Sequence, residues 1–318
     1  MARPRLGIAL GSGSARGWAH IGVLDALAEA GIAPDIVCGT SIGALVGAAH
    51  SAGHLAKLRE WVEAATWREI VGLLDVRLTG GGLIEGKELL GFLNGLGLAG
   101  PIESQPLRFA AVATELATGR EIWLQSGPMH EAVRASAALP GLFSPVLRDG
   151  KWLVDGGLCN PVPVSVCRAL GADVIIAVNL NGDLVGRRFE TTPPTPTPTP
   201  TPSPSSSPGP GGEGMARALA QLPAALRDQA EALGARLFPN GGARNGLASP
   251  GYFDVLANSI NIMQDQITRT RLAGEPPHVL LLPRLRDMAL MDFHRGREAI
   301  AEGRACVEQA LPALRRYL

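Results

Sequence analysis

The sequence predicts an α/β sandwich built on a mainly parallel sheet. Three observations carry that expectation. Apolar runs of strand length alternate with helical stretches over residues 6–180. Two of those runs, LGIAL (6–10) and IVCG (36–39), lead through glycine-rich turns straight into helices. The chain has 318 residues, 46% hydrophobic and 18% charged, enough to bury a large core.

Each element follows from its local pattern. LGIAL is a short, fully apolar run and reads as a buried strand. The helix after the glycines at 11–17 places Ile21, Leu24, Leu27 and Ala28 on one face, with Gly31 as its C-cap. IVCG is a second buried strand, and SIGALVGAAHSAG a second helix. Residues 107–114 and 120–124 read as two strands joined by a turn at Thr118-Gly119, and 130–139 as a helix. KWLVDGG (151–157) is a strand running into a turn, and ADVIIAVNL (172–180) a strong strand. Farther on, helices are expected over 215–236, 252–274 and 293–318, the last interrupted or bent near Pro312. HVLLLP (278–283) returns a strand to the sheet.

One segment stands apart. Residues 191–214, TTPPTPTPTPTPSPSSSPGPGGEG, contain nothing apolar to bury. They read as a disordered Thr/Pro/Ser/Gly-rich insertion in a surface loop, the alternative being a docking tract for a proline-reading partner. The expected organisation is one domain made of 1–190 and 215–318. Lys+Arg and Asp+Glu both number 29, which argues against a nucleic-acid binder. The four cysteines form no C-x-x-C pair, so free thiols are expected rather than a disulfide or a metal site. The N-terminal apolar run before the glycines has five residues, too short for a signal-peptide core, and no uninterrupted apolar run in the chain has the length of a membrane span. A cytoplasmic protein is expected, with peripheral membrane contact open to it.

The chemistry concentrates in three turns. GTSIG (39–43) is a G-x-S-x-G pattern between a strand and a helix. Gly39 and Gly43 keep the turn clear, and the helix N-terminus favours negative charge. Ser41 is then either a nucleophile or the N-cap of its helix. LGSGSARG (10–17) is a second strand–turn–helix loop, whose backbone N–H groups could bind an oxyanion. A dinucleotide fingerprint fits it poorly: the third glycine position is Arg16, and no acidic residue closes the second strand. Arg16 reads as a brace for the loop or a phosphate contact. WLVDGG (152–157) puts Asp155 at the end of an apolar strand, either as a turn former or as a base. None of the six histidines (His20, His50, His54, His130, His278, His294) lies in a turn that would present it to Ser41.

Together these motifs resemble the patatin-like phospholipases. GSGSARG (11–17), GTSIG (39–43) and DGG (155–157) are similar to that family's oxyanion loop, serine elbow and aspartate turn, in its order. ASAALPGLFSPV (135–146) resembles the stretch before the aspartate turn, and GSGSARGWAHIGVL and VDGGLCNPVPVSVCRALGAD resemble the short bacterial RssA-type members. The resemblance implies a three-layer α/β/α sandwich and a Ser41–Asp155 dyad without a catalytic histidine. It implies an oxyanion hole in the loop Gly11, Ser12, Gly13, Ser14, Arg16 and Gly17, and turns shaped by Gly39, Gly43, Gly156 and Gly157. The family often carries four glycines where this chain has G-S-G-S. The implied substrate is a lipid acyl ester, hydrolysed with no metal and no cofactor. The alternatives are a weakly active or non-catalytic lipid-binding regulator, and an esterase using a histidine such as His278 or His294. Leu142, Phe143 and Val146 would line an acyl site or pack in the core, and 67–86 is a candidate lid.

Overall fold

The computed structural model describes residues 3–66, 69–70, 86–182 and 252–317. The chain divides into two compact units, Met1–Asp183 with Met263–Leu318, and Leu184–Ile262. The expected insertion at 191–214 and helix at 215–236 lie outside the described residues, as does nearly all of the candidate lid.

The first unit is organised by one sheet. Its strands are β1 (Leu6–Leu10), β2 (Ile36–Thr40), β3 (Arg108–Glu115), β4 (Glu121–Leu124), β5 (Val146–Arg148), β6 (Lys151–Asp155), β7 (Val174–Val178) and β8 (Val279–Leu281). They run in the order β5-β6-β3-β2-β1-β7-β8, with β4 also on β3. β3-β2-β1-β7-β8 is parallel throughout, and β4, β5 and β6 pair antiparallel. The sheet is therefore mixed and mainly parallel.

Helices cover both faces. They are α1 (Ala19–Glu29), α2 (Ile42–Ser51), α3 (Leu55–Ala64), α4 (Lys87–Gly95), α5 (Met129–Ser136), α6 (Val164–Ala169), α7 (Tyr252–Gly274) and α8 (Gly296–Leu314). Strand alternation splits the core in two. Leu6, Ile8, Leu10, Val174, Ile176 and Val178 face a large cluster with α1–α5 and α8. Ala9, Ile175 and Ala177 face a smaller one with Val164, Val166 and Cys167 of α6 and Leu272 of α7. That is a three-layer α/β/α sandwich.

Several local expectations change. The first helix begins as a 3₁₀ turn over Ser14–Trp18. It ends with Gly31 left-handed at φ 76, and the Gly31 and Ile32 N–H groups donate back to Ala28 and Leu27 carbonyls. Ala28, expected inward, is exposed, because α1 buries Val23 and Ala26 instead. The final helix passes through Pro312 and stops at Leu314, since a proline near a C-terminus disturbs only the turn before it.

Register decides where the site forms. Ala111 and Val112 of β3 pair with β2 and also with β4, so those neighbours lie on opposite edges. Ala113 and Thr114 pair with β4 and also with β6, so β6 shares the β2 edge. Thr40 sits opposite Val112, and Asp155 opposite the next residue, Ala113. β2 and β6 thus run toward each other along one edge of β3 and end at the same point. The residue after β2 is Ser41, and the last residue of β6 is Asp155.

Candidate active site

Ser41 occupies a strained turn. Its backbone has φ 58 and ψ −121, a conformation L-residues adopt rarely. It stands at the N-cap position of α2, and its carbonyl accepts from the N–H groups of Ala44 and Leu45. Its hydroxyl makes no capping bond. The Oγ–H donates instead to Asp155 Oδ2 at 2.6 Å. The capping alternative therefore fails for the side chain. The flanking glycines are forced by backbone contact: a Cβ on Gly39 would lie 2.3 Å from the Gly43 oxygen, and one on Gly43 would lie 2.2 Å from the Leu10 oxygen. α5 fixes the turn from behind. Ser136 Oγ accepts from the Ser41 N–H at 2.9 Å and donates to Val112 O at 2.5 Å.

Asp155 is buried. Its Oδ1 accepts the Gly157 N–H at 2.7 Å, its own N–H donates to Ala138 O, and its carbonyl accepts from Thr114 Oγ1. Burial pushes its carboxyl up to about 6 from 3.8, while the bonds from Ser41 and Gly157 pull the other way. Gly156 presses on β3, where a Cβ would meet Val112 O at 2.1 Å. Asn160 closes the turn: its carbonyl accepts from Thr40 Oγ1, and its Nδ2 donates to Glu121 and Ser165.

The glycine loop packs against the elbow. A Cβ on Gly17 would sit 2.1 Å from Ile42 Cγ1. The Gly11 N–H donates to Val178 O and the Ser12 N–H to Pro161 O. The N–H groups of Gly13 and Ser14 have no hydrogen-bond acceptor among the described residues. Ser14 reaches this geometry at φ 52, within reach of a non-glycine residue. Arg16 is fully buried, and its Nε donates to Gly13 O, so at that contact it braces the loop.

His20 and His278 are engaged elsewhere. Burial pulls the His20 imidazole down to about 4, so the ring is neutral and its Nε2–H donates to Gly11 O. His278 Nδ1 accepts from the Ile175 N–H. Among the described residues no histidine shares the Ser41 hydroxyl bond. No cluster of His, Cys, Asp and Glu there could hold a metal. Phe143 and Val146 pack against the larger core cluster, with the Arg134 guanidinium 5.2 Å from the Phe143 ring centroid.

Motif reading missed Ser136, Asn160, Asn181 and Gln264. Gln264 Oε1 accepts from Ser12 Oγ at 3.0 Å and from Asn181 Nδ2 at 3.1 Å. Its one sequence signal is a run of polar residues on an otherwise amphipathic helix, and Gln264, Asp265 and Thr268 are all buried.

Several known proteins are similar to this chain. The family described as patatin-like phospholipase matches residues 8–168, from β1 through the aspartate turn into α6. An uncharacterized NTE family protein of Mycobacterium tuberculosis is 36% identical over 98% of this chain and 92% of its own length. Lysophospholipase NTE1 of Coccidioides immitis is 38% identical over 55% of this chain and 11% of its own. Rat patatin-like phospholipase domain-containing protein 7 is 33% identical over 58% of this chain and 14% of its own. Among solved structures, VipD from Legionella pneumophila aligns over 99% of this chain and 77% of its own, at a TM-score of 0.35 and 13% identity. The matched segment contains the glycine loop, the serine elbow and the aspartate turn that β1, β2 and β6 bring together, and on that match the chain belongs to the patatin-like phospholipase family.

Proposed function

We propose that this protein hydrolyses acyl esters of lipids, with Ser41 as nucleophile and Asp155 as its base. Family membership supports a lipid hydrolase in general. The observation that carries the finer reading is the 2.6 Å bond from the Ser41 hydroxyl to a buried carboxylate, made from a strained turn. Ser41 Oγ attacks the ester carbonyl carbon while its proton passes to Asp155 Oδ2. The Gly13 and Ser14 N–H groups are the donors we assign to the oxyanion; losing one such donor typically costs about 10²–10³ in rate. Collapse expels the alcohol, which takes the proton from Asp155, and leaves an acyl-Ser41 ester. Water then attacks that ester as Asp155 accepts its proton. The fatty acid leaves and Ser41 regains its hydrogen. A carboxylate whose pKa is raised to about 6 is a better base than an ordinary aspartate.

We also propose that residues 1–190 and 215–318 act as one domain. Free cysteines, with Cys38 and Cys167 buried, support a reducing cytoplasmic setting, where lipid would be met at the inner membrane surface. No helix among the described residues is long and apolar enough to cross a membrane.

A fluorophosphonate probe tests the dyad. Wild type should label. Ser41→Ala and Asp155→Asn should not. A His278→Ala/His294→Ala double variant that stays folded should label like wild type. Unlabelled, folded wild type would favour a lipid-binding regulator, and loss of labelling in the histidine variant alone would point to a histidine esterase.

A further inference from the structure

We propose that Gln264, on α7, is a positioning residue that locks the glycine loop to the aspartate turn. The inference rests on the dyad reading above and concerns a residue far outside the family's matched segment, 8–168.

Gln264 is buried, and its carboxamide touches both halves of the site. On one side Oε1 accepts from Ser12 Oγ, in the loop that presents Gly13 and Ser14. Asn181, also buried, holds the same oxygen through its Nδ2, and its own N–H bonds to Asn179 Oδ1. Two donors converging on one oxygen fix which end of the amide is which. On the other side Nε2 packs against Gly157, where a Cβ would lie 2.3 Å from Nε2 and 2.9 Å from Asp155 Oδ1. The carboxamide and the base therefore flank the same backbone carbon. The Gly157 N–H is the group that holds Asp155 Oδ1. Ser12 is tied to this region a second time, through its own N–H to Pro161 O.

Two chemical consequences follow. The neutral amide fills the space beside Gly157 without adding charge next to Asp155. A carboxylate there would stand within about 5 Å of Asp155 and hold its proton more tightly. The hydrogen bond to Ser12 also fixes the side chain next to Gly13, so the loop amides keep their aim. A 1 Å misplacement of such donors can cost about 10²-fold in rate.

The experiment measures kcat and KM for a short-chain p-nitrophenyl ester from pH 5 to 9. It compares wild type, Gln264→Glu, Gln264→Met, Ser12→Ala and the Ser12→Ala/Gln264→Met double, each with its melting curve recorded. Gln264→Met should lower kcat roughly 10–100-fold with little change in KM. Gln264→Glu keeps the acceptor for Ser12, so its plateau should lie above that of Gln264→Met. Its acid limb should move up by about one pH unit. The double should lose no more than about twofold beyond the worse single, because both changes break one contact. Folded Gln264 variants with wild-type kcat and an unmoved acid limb, or fully additive losses, would overturn the inference alone. A wild type with no esterase activity would overturn the dyad reading, and this inference with it.

Discussion

The Ser41–Asp155 pair sets two properties against each other. Asp155 must be ionised to accept a proton, yet burial raises its pKa to about 6. Its activity limb should therefore fall as pH drops through about 6. Stability runs the other way. Below about pH 4 the carboxyl is protonated both folded and unfolded. Between about 4 and 6 the folded state keeps the proton that the unfolded chain releases, so stability declines as pH rises through that window. Above it the cost is fully present. Asp155→Asn removes the charge while keeping an acceptor for the Gly157 N–H. It should abolish hydrolysis while raising unfolding free energy at pH 7.5 by roughly 1–3 kcal/mol. The gain should vanish near pH 4. Urea unfolding at both pH values reads this directly, and an Asn variant no more stable than wild type at pH 7.5 would sink the argument.

At the level of elements, glycines in helices have opposite meanings that only packing separates. Gly22 of α1 and Gly303 of α8 sit where the two helices cross. A Cβ on Gly22 would lie 1.9 Å from Ile300 O, and one on Gly303 would lie 2.0 Å from Ala19 O. Neither neighbour is a side chain that could swing away. Gly22→Ala or Gly303→Ala should destabilise by about 1–3 kcal/mol through overpacking. Gly91 lies inside α4 with nothing within 4 Å of a Cβ, so Gly91→Ala should stabilise by about 0.5–1 kcal/mol. Denaturant midpoints of the three variants test the pair of claims, and the same sign at all three sites would refute them.

The same contrast explains what the sequence revealed. β1, β2 and β7 are dense apolar runs, β6 carries Trp152, Leu153 and Val154 ahead of its aspartate turn, and each was legible. α6 has six residues and β5 three, too short to show a period. α4 carries two glycines in nine residues, and α3 starts at Leu55 after His54, whose side chain makes no capping bond. The candidate site was legible where local motifs mark it, at 11–17, 39–43 and 155–157. Gln264 and Ser136 were not, because their roles depend on contacts with residues 252 and 95 positions away.

For the whole molecule, the site draws on chain positions from Ser12 to Gln264, so integrity depends on both ends of the first unit meeting. That unit breaks at Asp183 and resumes at Met263. The Thr/Pro tract at 191–214 falls wholly within the interval between those two residues and contains no aliphatic or aromatic core residue of the kind that fills the two clusters. Each of its residues would cost conformational entropy if ordered, with no burial to offset it. Removing 191–214 and rejoining the chain shortens a connection whose closure entropy depends only weakly on length. The deletion should therefore leave kcat/KM on a soluble ester within about twofold and keep a single cooperative melt, with a Tm shift of no more than about 2–4 °C. A broadened melt or lost activity in the deletion, with the ester reaction of the full chain intact, would mean that the tract is part of the domain rather than an insertion in it.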